Sequence, residues 1–416
     1  MSIKSEIITF GCRLNTYESE VIRNHTEQAN LSNSIIVNTC AVTLEAERQA
    51  RQAIRRAKKN RPDAEIIVTG CAAQINPQKW SLMPEVTRVV GNKEKLELNT
   101  FLEDRPHPSI SVNNIMEIRE QAGHLVAGFE GRTRAYVQIQ QGCNHRCTFC
   151  IIPFGRGNSR SVPLGDIVSE AKKLVGAGYK ELILTGVDLT SYGADLPGSP
   201  NLGQSVSRLL AMVPELPRLR LSSVDPSEID TDLVRLIAEE PRIMPHLHLS
   251  VQAGDDLVLK RMKRRHSSSD VIALTEKLRK LRPEIVFGAD LIAGFPTETE
   301  EMFQNTVNLI DQAGLTWLHV FPFSSRPGTP AEKMPQMPME TRKKRAALLR
   351  RQGDQAVTRI LESYVGTKAS VLIEKNGTGR SESFARVSVN SSPENGELVN
   401  TLITHTDGVE LYGSVF

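Results

Sequence analysis

Three apolar, β-rich runs in the first hundred residues each end at a cysteine. The run at 6–10 leads into Gly11-Cys12, that at 34–38 into Thr39-Cys40, and that at 65–69 into Gly70-Cys71. The stretches between them, roughly 16–28 and 43–60, have helical composition and period. Strands alternating with helices form a parallel sheet, because each helix carries the chain back to the edge where the next strand starts. The carboxyl ends of parallel strands share one edge, and ligands bind there. The pattern therefore predicts that Cys12, Cys40 and Cys71 converge. Buried structural cysteines are common and zinc also takes cysteines, but equivalent placement after three strands favours a shared metal cluster.

A second cysteine set is local. Gln141-Gly142-Cys143-Asn144-His145-Arg146-Cys147-Thr148-Phe149-Cys150 contains a C-x3-C-x2-C loop. Three thiolates so spaced can hold three irons of a four-iron cube and leave the fourth iron open to a small molecule. A zinc knuckle would have to recruit His145, which sits between two of the cysteines in one tight loop. A disulfide would leave one cysteine over. Iron–sulfur is the better reading.

From 132 onward β-like runs at 135–140, 181–184, 218–222, 246–250, 285–292 and 315–321 alternate with helical stretches such as 164–177, 269–281 and 298–313. Six β/α units, short of the eight of a full barrel, predict a partial, open one, with its site at the strands' carboxyl ends. The Cys143 loop follows the first strand and so occupies that rim. Polar or Gly-rich turns follow other strands: Thr185-Gly186-Val187-Asp188, Ser250-Val251-Gln252, and Gly294-Phe295-Pro296. Past 364, short β-like pieces separated by Gly, Asn, Ser and Pro predict a small β-barrel. From Lys368 on it holds four Lys/Arg against six Asp/Glu, so charge does not mark it as an RNA grip.

With 39% hydrophobic and 24% charged residues, the chain has the composition of a soluble globular protein. No stretch reaches the roughly 18–20 apolar residues of a membrane span. The first six residues form a strand lead-in without a signal-peptide core. Six cysteines without an export signal predict the reducing cytoplasm. The net charge of +3 says little, but three basic runs, at 48–61, 260–266 and 342–351, favour a polyanionic partner.

Together these features resemble the radical S-adenosylmethionine (SAM) methylthiotransferases. The resemblance covers nearly the whole chain. It is carried by Gly11-Cys12-Arg13-Leu14-Asn15-Thr16-Tyr17-Glu18-Ser19-Glu20, Asn38-Thr39-Cys40-Ala41-Val42-Thr43, Thr69-Gly70-Cys71-Ala72-Ala73-Gln74, and the Cys143 loop with Ile151-Ile152-Pro153-Phe154-Gly155-Arg156-Gly157. The stretches at 12–20, 185–193 and 323–330 resemble the branch acting on N6-threonylcarbamoyladenosine at tRNA position 37 more than the branches acting on isopentenyladenosine tRNA or a ribosomal-protein aspartate.

The resemblance implies an amino-terminal domain at 1–106, a radical SAM core at 129–360 and a TRAM β-barrel at 361–416. It implies two 4Fe-4S clusters. The one on Cys143, Cys147 and Cys150 would bind and cleave SAM. The one on Cys12, Cys40 and Cys71 would carry the sulfur, with a second SAM supplying the methyl group. Phe149 and Gly294 would lie near the SAM adenine, Gly186 and Asp188 near its amine, although the usual Gly-Gly-Glu is absent there, and Ser250 and Gln252 near its ribose and carboxylate. Partners would be the anticodon stem-loop of ANN-reading tRNAs and a reductant such as flavodoxin or ferredoxin. The contrasting expectation is a metal-stapled RNA-binding protein without catalysis.

Overall fold

The computed structural model describes residues 4–102, 106–119, 126, 128–129 and 131–416. The first three residues of the lead-in and parts of the 105–131 stretch lie outside the described residues.

β1 (Glu6–Thr9), β2 (Ser34–Thr39), β3 (Glu65–Gly70), β4 (Arg88–Val90) and β5 (Ile110–Ser111) form one parallel sheet in sequence order. Two of these strands, β4 and β5, exceed the three expected, and β5 lies past position 106. Every residue of β2 is buried, as befits a central strand covered on both faces. The crossovers are α1 (Arg13–Gln28) and α2 (Leu44–Asn60); α3 (Cys71–Ile75) and α4 (Pro77–Ser81) follow β3. α2 starts at Thr43, whose side chain accepts from Ala46 N–H, with Glu45 and Glu47 in the first turn and Lys58 and Lys59 in the last. Cap and charges both complement the helix dipole. Thr9 pairs with Asn38, and Thr39 with Gly70, so the strand ends are in line.

The second unit opens with β6 (Arg134–Gln138). A short antiparallel pair, β7 (Gln140–Gln141) and β8 (Arg160–Ser161), flanks α5 (Ile152–Arg156). Then come α6 (Leu164–Gly176), β9 (Glu181–Thr185), α7 (Leu202–Met212), β10 (Arg218–Leu221), β11 (Ser223–Val224), α8 (Thr231–Glu239), β12 (His246–Gln252), α9 (Asp256–Arg261), α10 (Ser268–Leu281), β13 (Val286–Ala293), α11 (Glu300–Gln312) and β14 (Leu315–Pro322). The parallel orders are β10-β9-β6 and β11-β12-β13-β14. β10 and β11 are one run interrupted at Ser222, so the wall turns there from one sheet to the other. β6 and β14 are its two free edges, which makes the partial (β/α)6 barrel open between them. Leu182, Leu184, Leu219, Leu247, Leu249 and Phe287 face the helices in one core.

α12 (Met339–Ser363) is a 25-residue helix on β14; the sequence reading treated only its basic run. Arg342 and Arg345 in that run are buried, giving hydrogen bonds to Phe323 O and Glu298. In the 260–266 run, Arg264 binds Asp225 and His266 lies 3.0 Å from Val251 O. Part of the charge expected to face a polyanion is therefore internal. The chain ends in a closed barrel, β15 (Lys368–Lys375), β16 (Thr378–Arg380), β17 (Arg386–Val389), β18 (Leu398–Thr406) and β19 (Leu411–Val415), in the order β15-β16-β17-β19-β18.

This small barrel caps the amino-end mouth of the large one. Arg134 meets Glu374 at 2.5 Å, Arg218 donates to Ser370 O at 2.7 Å, and Arg220 donates to Glu382 O at 3.1 Å. Phe384 stacks on His246 with ring centroids 5.1 Å apart and lies under the guanidiniums of Arg134 and Arg220. No helix among the described residues is long and apolar enough to cross a membrane.

Candidate active site

At the edge of the amino-terminal sheet, Cys12 caps α1, Cys40 follows β2 and Cys71 opens α3. The three are close enough to feel one another: burial, then the Cys71 and Cys12 thiols, push Cys40 up to about 12. Gly70 takes φ +95°, and a Cβ there would lie 2.3 Å from Thr39 O, so only glycine lets β3 end beside β2. Asn15 donates to both Phe10 O (2.7 Å) and Thr39 O (3.0 Å), tying the first two turns together.

The Cys143 loop is pinned from several sides. Cys143 N–H donates to Gly157 O, Thr148 N–H to Met262 O, and Ala331 N–H to Thr148 O. Gly142 (φ +72°) has no room for a Cβ, which would fall 1.9 Å from Asn158 O. Burial and Asp188 push Cys143 up to about 12, and burial does the same to Cys150. Arg264 Nη1 lies 3.8 Å from Cys147 Sγ while its Nη2 donates to Asp225 and Ser250 O, both at 2.7 Å.

The two sets meet through α5. Gly155 rests on Cys71, where an added Cβ would be 3.2 Å from the Cys71 Cβ. Asn92 Nδ2 donates to Gly155 O at 2.5 Å and reaches Cys71 Sγ at 3.7 Å. Arg156 is buried and bidentate on Glu18 (2.8 and 3.1 Å), and also donates to Gln141 and Asn15. Lys95 Nζ closes the network at 2.7 Å from Glu18. Burial raises Glu18, but Arg156 and Lys95 outweigh it and hold the carboxyl down to about 2. Burial disfavours the Arg156 charge, yet Cys71, Glu18 and Cys12 keep its pKa well above normal. Sequence reasoning missed this network, though Glu18 and Arg156 stand in the same short motifs as Cys12 and Cys150.

The other expected contacts are distributed as follows. Asp188 accepts from Ser191 and Thr190 and sits 2.9 Å from His145 Nε2. Burial raises it, but His145 and Ser191 bring it below its usual value. Gly186 packs on Gln140, whose Oε1 accepts from Val187 and Asp188 N–H. Ser250 uses its carbonyl to hold Arg264. Gln252 ends β12 at φ +76°. Gly294 (φ +74°) lies against Arg342. Phe149 packs edge-on against Phe295 at 6.5 Å, beside Phe323. All six positions border the barrel's carboxyl rim.

The donor chemistry fits iron–sulfur clusters: each set has three free thiols, Cys40 and Cys71 buried beside an exposed Cys12 in one and all three partly buried in the other, and a guanidinium nearby to offset a cluster's negative charge. Cys143, His145 and Asp188 place ligand atoms within 4.8 Å of one another. His145 is also engaged by Glu228 at 3.5 Å.

Residues 137–310 match the radical SAM superfamily, and residues 4–91 match the uncharacterized protein family UPF0004. The chain is 56% identical, over 93% of its length and 91% of the relative's, to the threonylcarbamoyladenosine tRNA methylthiotransferase MtaB of Rickettsia prowazekii (strain Madrid E). It is 35% identical to the protein of the same name from Aquifex aeolicus (strain VF5), over 95% and 98% of the two lengths. Among solved structures, the radical SAM methyltransferase TsrM from Kitasatospora setae superposes with TM-score 0.58 at 15% identity, covering 89% of this chain and 81% of that one; at that identity it speaks to the fold. The chain belongs to the methylthiotransferase family of radical SAM enzymes. Membership implies SAM and a 4Fe-4S cluster as cofactors.

Proposed function

We propose that the protein methylthiolates C2 of N6-threonylcarbamoyladenosine at position 37 of tRNA, using two 4Fe-4S clusters. The observation that carries this reading is the seating of Gly155 on Cys71. It sets a strand-edge cysteine trio beside the loop trio, as insertion of sulfur into a carbon activated next door requires. The 56% identical relative supplies the substrate class.

In this reading Cys143, Cys147 and Cys150 hold the SAM-binding cluster, and Cys12, Cys40 and Cys71 the sulfur-carrying one. When bound, these groups supply reductive SAM cleavage, activation of the adenine C2–H bond, and the sulfur. The chain's own residues do the rest. The raised thiol pKa values mean that loading releases protons. Arg264 places a guanidinium beside Cys147, where it would offset the negative charge of a cluster. Arg156 and Lys95 place fixed positive charge behind Cys71. Phe149 and Gly294 shape the adenine side of the SAM site, Gly186 and Asp188 its amine side, and Ser250 and Gln252 the ribose and carboxylate side. The anticodon stem-loop reaches the rim, and a flavodoxin or ferredoxin delivers electrons.

Nucleoside mass spectrometry of tRNA with and without the gene tests the reading. Deletion should remove 2-methylthio-N6-threonylcarbamoyladenosine and leave its unthiolated precursor. An unchanged methylthio nucleoside would overturn the assignment.

A further inference from the structure

Among the described residues, the charged side chains inside the large barrel stand mostly in pairs, and Arg13 departs from that pattern. At its amino end Arg134 pairs with Glu374 at 2.5 Å, Arg220 with Glu181 at 3.0 Å, and Arg218 stands 3.8 Å from Glu181 and 4.0 Å from Glu382. Higher up, Asp290 is shared by His248 Nε2 at 3.0 Å and His319 Nδ1 at 3.3 Å. The Arg13 guanidinium lies within electrostatic reach of Tyr136, Arg134, Arg220 and Asp290, yet among the described residues its side chain makes neither an ion pair nor a hydrogen bond.

Its position follows from the open side of the barrel. α1 lies along the free edge strand β6, its Tyr17 packed on Phe129, which stands edge-on to Tyr136. Arg13, in the first turn of α1, therefore enters the barrel beside β6. Across the gap, on the other free edge β14, His319 is mostly exposed. A nucleotide reaching the rim through this gap would pass between them.

The space calls for an anion rather than a metal. His248, Asp290 and His319 bring ligand atoms within 4.8 Å of one another, but both imidazoles already converge on one carboxylate oxygen. The permanent charges of Arg13 and Arg220 also oppose a further cation. A partly buried guanidinium without a partner is costly and is relieved by a carboxylate it can fork onto. The N6-threonylcarbamoyl group carries one; an isopentenyl group carries none.

We infer that Arg13 receives the threonyl carboxylate of the substrate nucleoside and is the residue that reads this modification. The inference rests on the proposed tRNA substrate. The test uses the reconstituted full-length enzyme and two synthetic anticodon stem-loops, one carrying threonylcarbamoyladenosine and one its threonine carboxamide. Wild type should favour the acid by about 30-fold or more in kcat/KM, the scale of an unpaired buried charge. Arg13→Gln should lose that preference, falling on the acid RNA and hardly changing on the amide, while Arg13→Lys keeps part of it. Iron content and substrate-free SAM cleavage should stay at wild-type values in both variants.

Equal loss on both RNAs would mean that Arg13 serves the neighbouring Cys12 site, and would overturn the inference. So would a wild-type enzyme indifferent to the carboxamide, a result that depends on no variant folding. If wild type forms no methylthio product on the acid RNA but does so on an isopentenyladenosine RNA, the substrate reading itself fails.

Discussion

The two cysteine trios solve one problem by opposite means. Cys143, Cys147 and Cys150 are neighbours in sequence, and a loop pinned by backbone hydrogen bonds brings them together. Cys12, Cys40 and Cys71 come from three separate turns, and only the register of β1, β2 and β3 brings them together. The loop trio can be read from eight residues. The strand trio exists only once a sheet has formed. A local site of this kind depends on its immediate surroundings, whereas an assembled one inherits the stability of the whole amino-terminal unit.

The sharpest separation of the two should come from removing one ligand from each. Cys147→Ala should abolish 5′-deoxyadenosine formation and methylthiolation together. Cys40→Ala should keep SAM cleavage and lose methylthiolation. Each variant should retain about four irons instead of about eight. Methylthiolation surviving in Cys40→Ala would show that the strand trio does not carry sulfur.

Arg156 belongs to both sets, so Arg156→Met should break the symmetry through stability. It leaves Glu18 with Lys95 and the Gln141 amide and removes four buried hydrogen bonds. The expected loss is about 3 kcal/mol or more, seen as an earlier denaturant midpoint, with iron released from the strand trio before the loop trio. Gly155→Ala is gentler. Its Cβ presses on Cys71 from 3.2 Å, so methylthiolation should fall a few-fold while SAM cleavage stays within about twofold.

The smallest effect concerns a joint remote from both trios. Burial pushes Glu170 up to about 8 although Tyr17 hydrogen-bonds to it. A carboxyl with a raised folded pKa contributes stability in full below its unfolded value, near 4.5, and that contribution is lost as pH rises through about 8. Glu170→Gln should therefore leave melting at pH 5 almost unchanged and raise it at pH 9 by about 2–4 °C. Both cysteine chemistries should be unaffected. A larger gain at pH 5 than at pH 9 would reverse the assignment.

Much of this was legible in the sequence because it is periodic or local. Strands β1, β2 and β3 fall within two residues of the stretches expected, and all six barrel strands are present. The paired charges were not legible. Arg342 and Arg345 read as a basic surface run, because nothing within the run announces that Phe323 O and Glu298 wait across the chain. Glu18 and Arg156 are 138 residues apart, and Lys95 belongs to no motif at all. β5 and β16, two and three residues long, are too short to show a period.

The contact of Phe384 and Glu374 with the mouth of the large barrel bears on how the protein can be dissected. The carboxyl-terminal barrel is a stopper as well as an appendage. Cutting the chain after Ser363 would uncork the interior, take Glu374 from Arg134 and the Phe384 ring from both Arg134 and Arg220, and admit water from below. Loss of activity in such a truncation would report a leaking vessel and say nothing about who holds the RNA. Substitutions confined to the outward strands of the small barrel, with the 381–384 turn intact, are the cleaner way to ask that question.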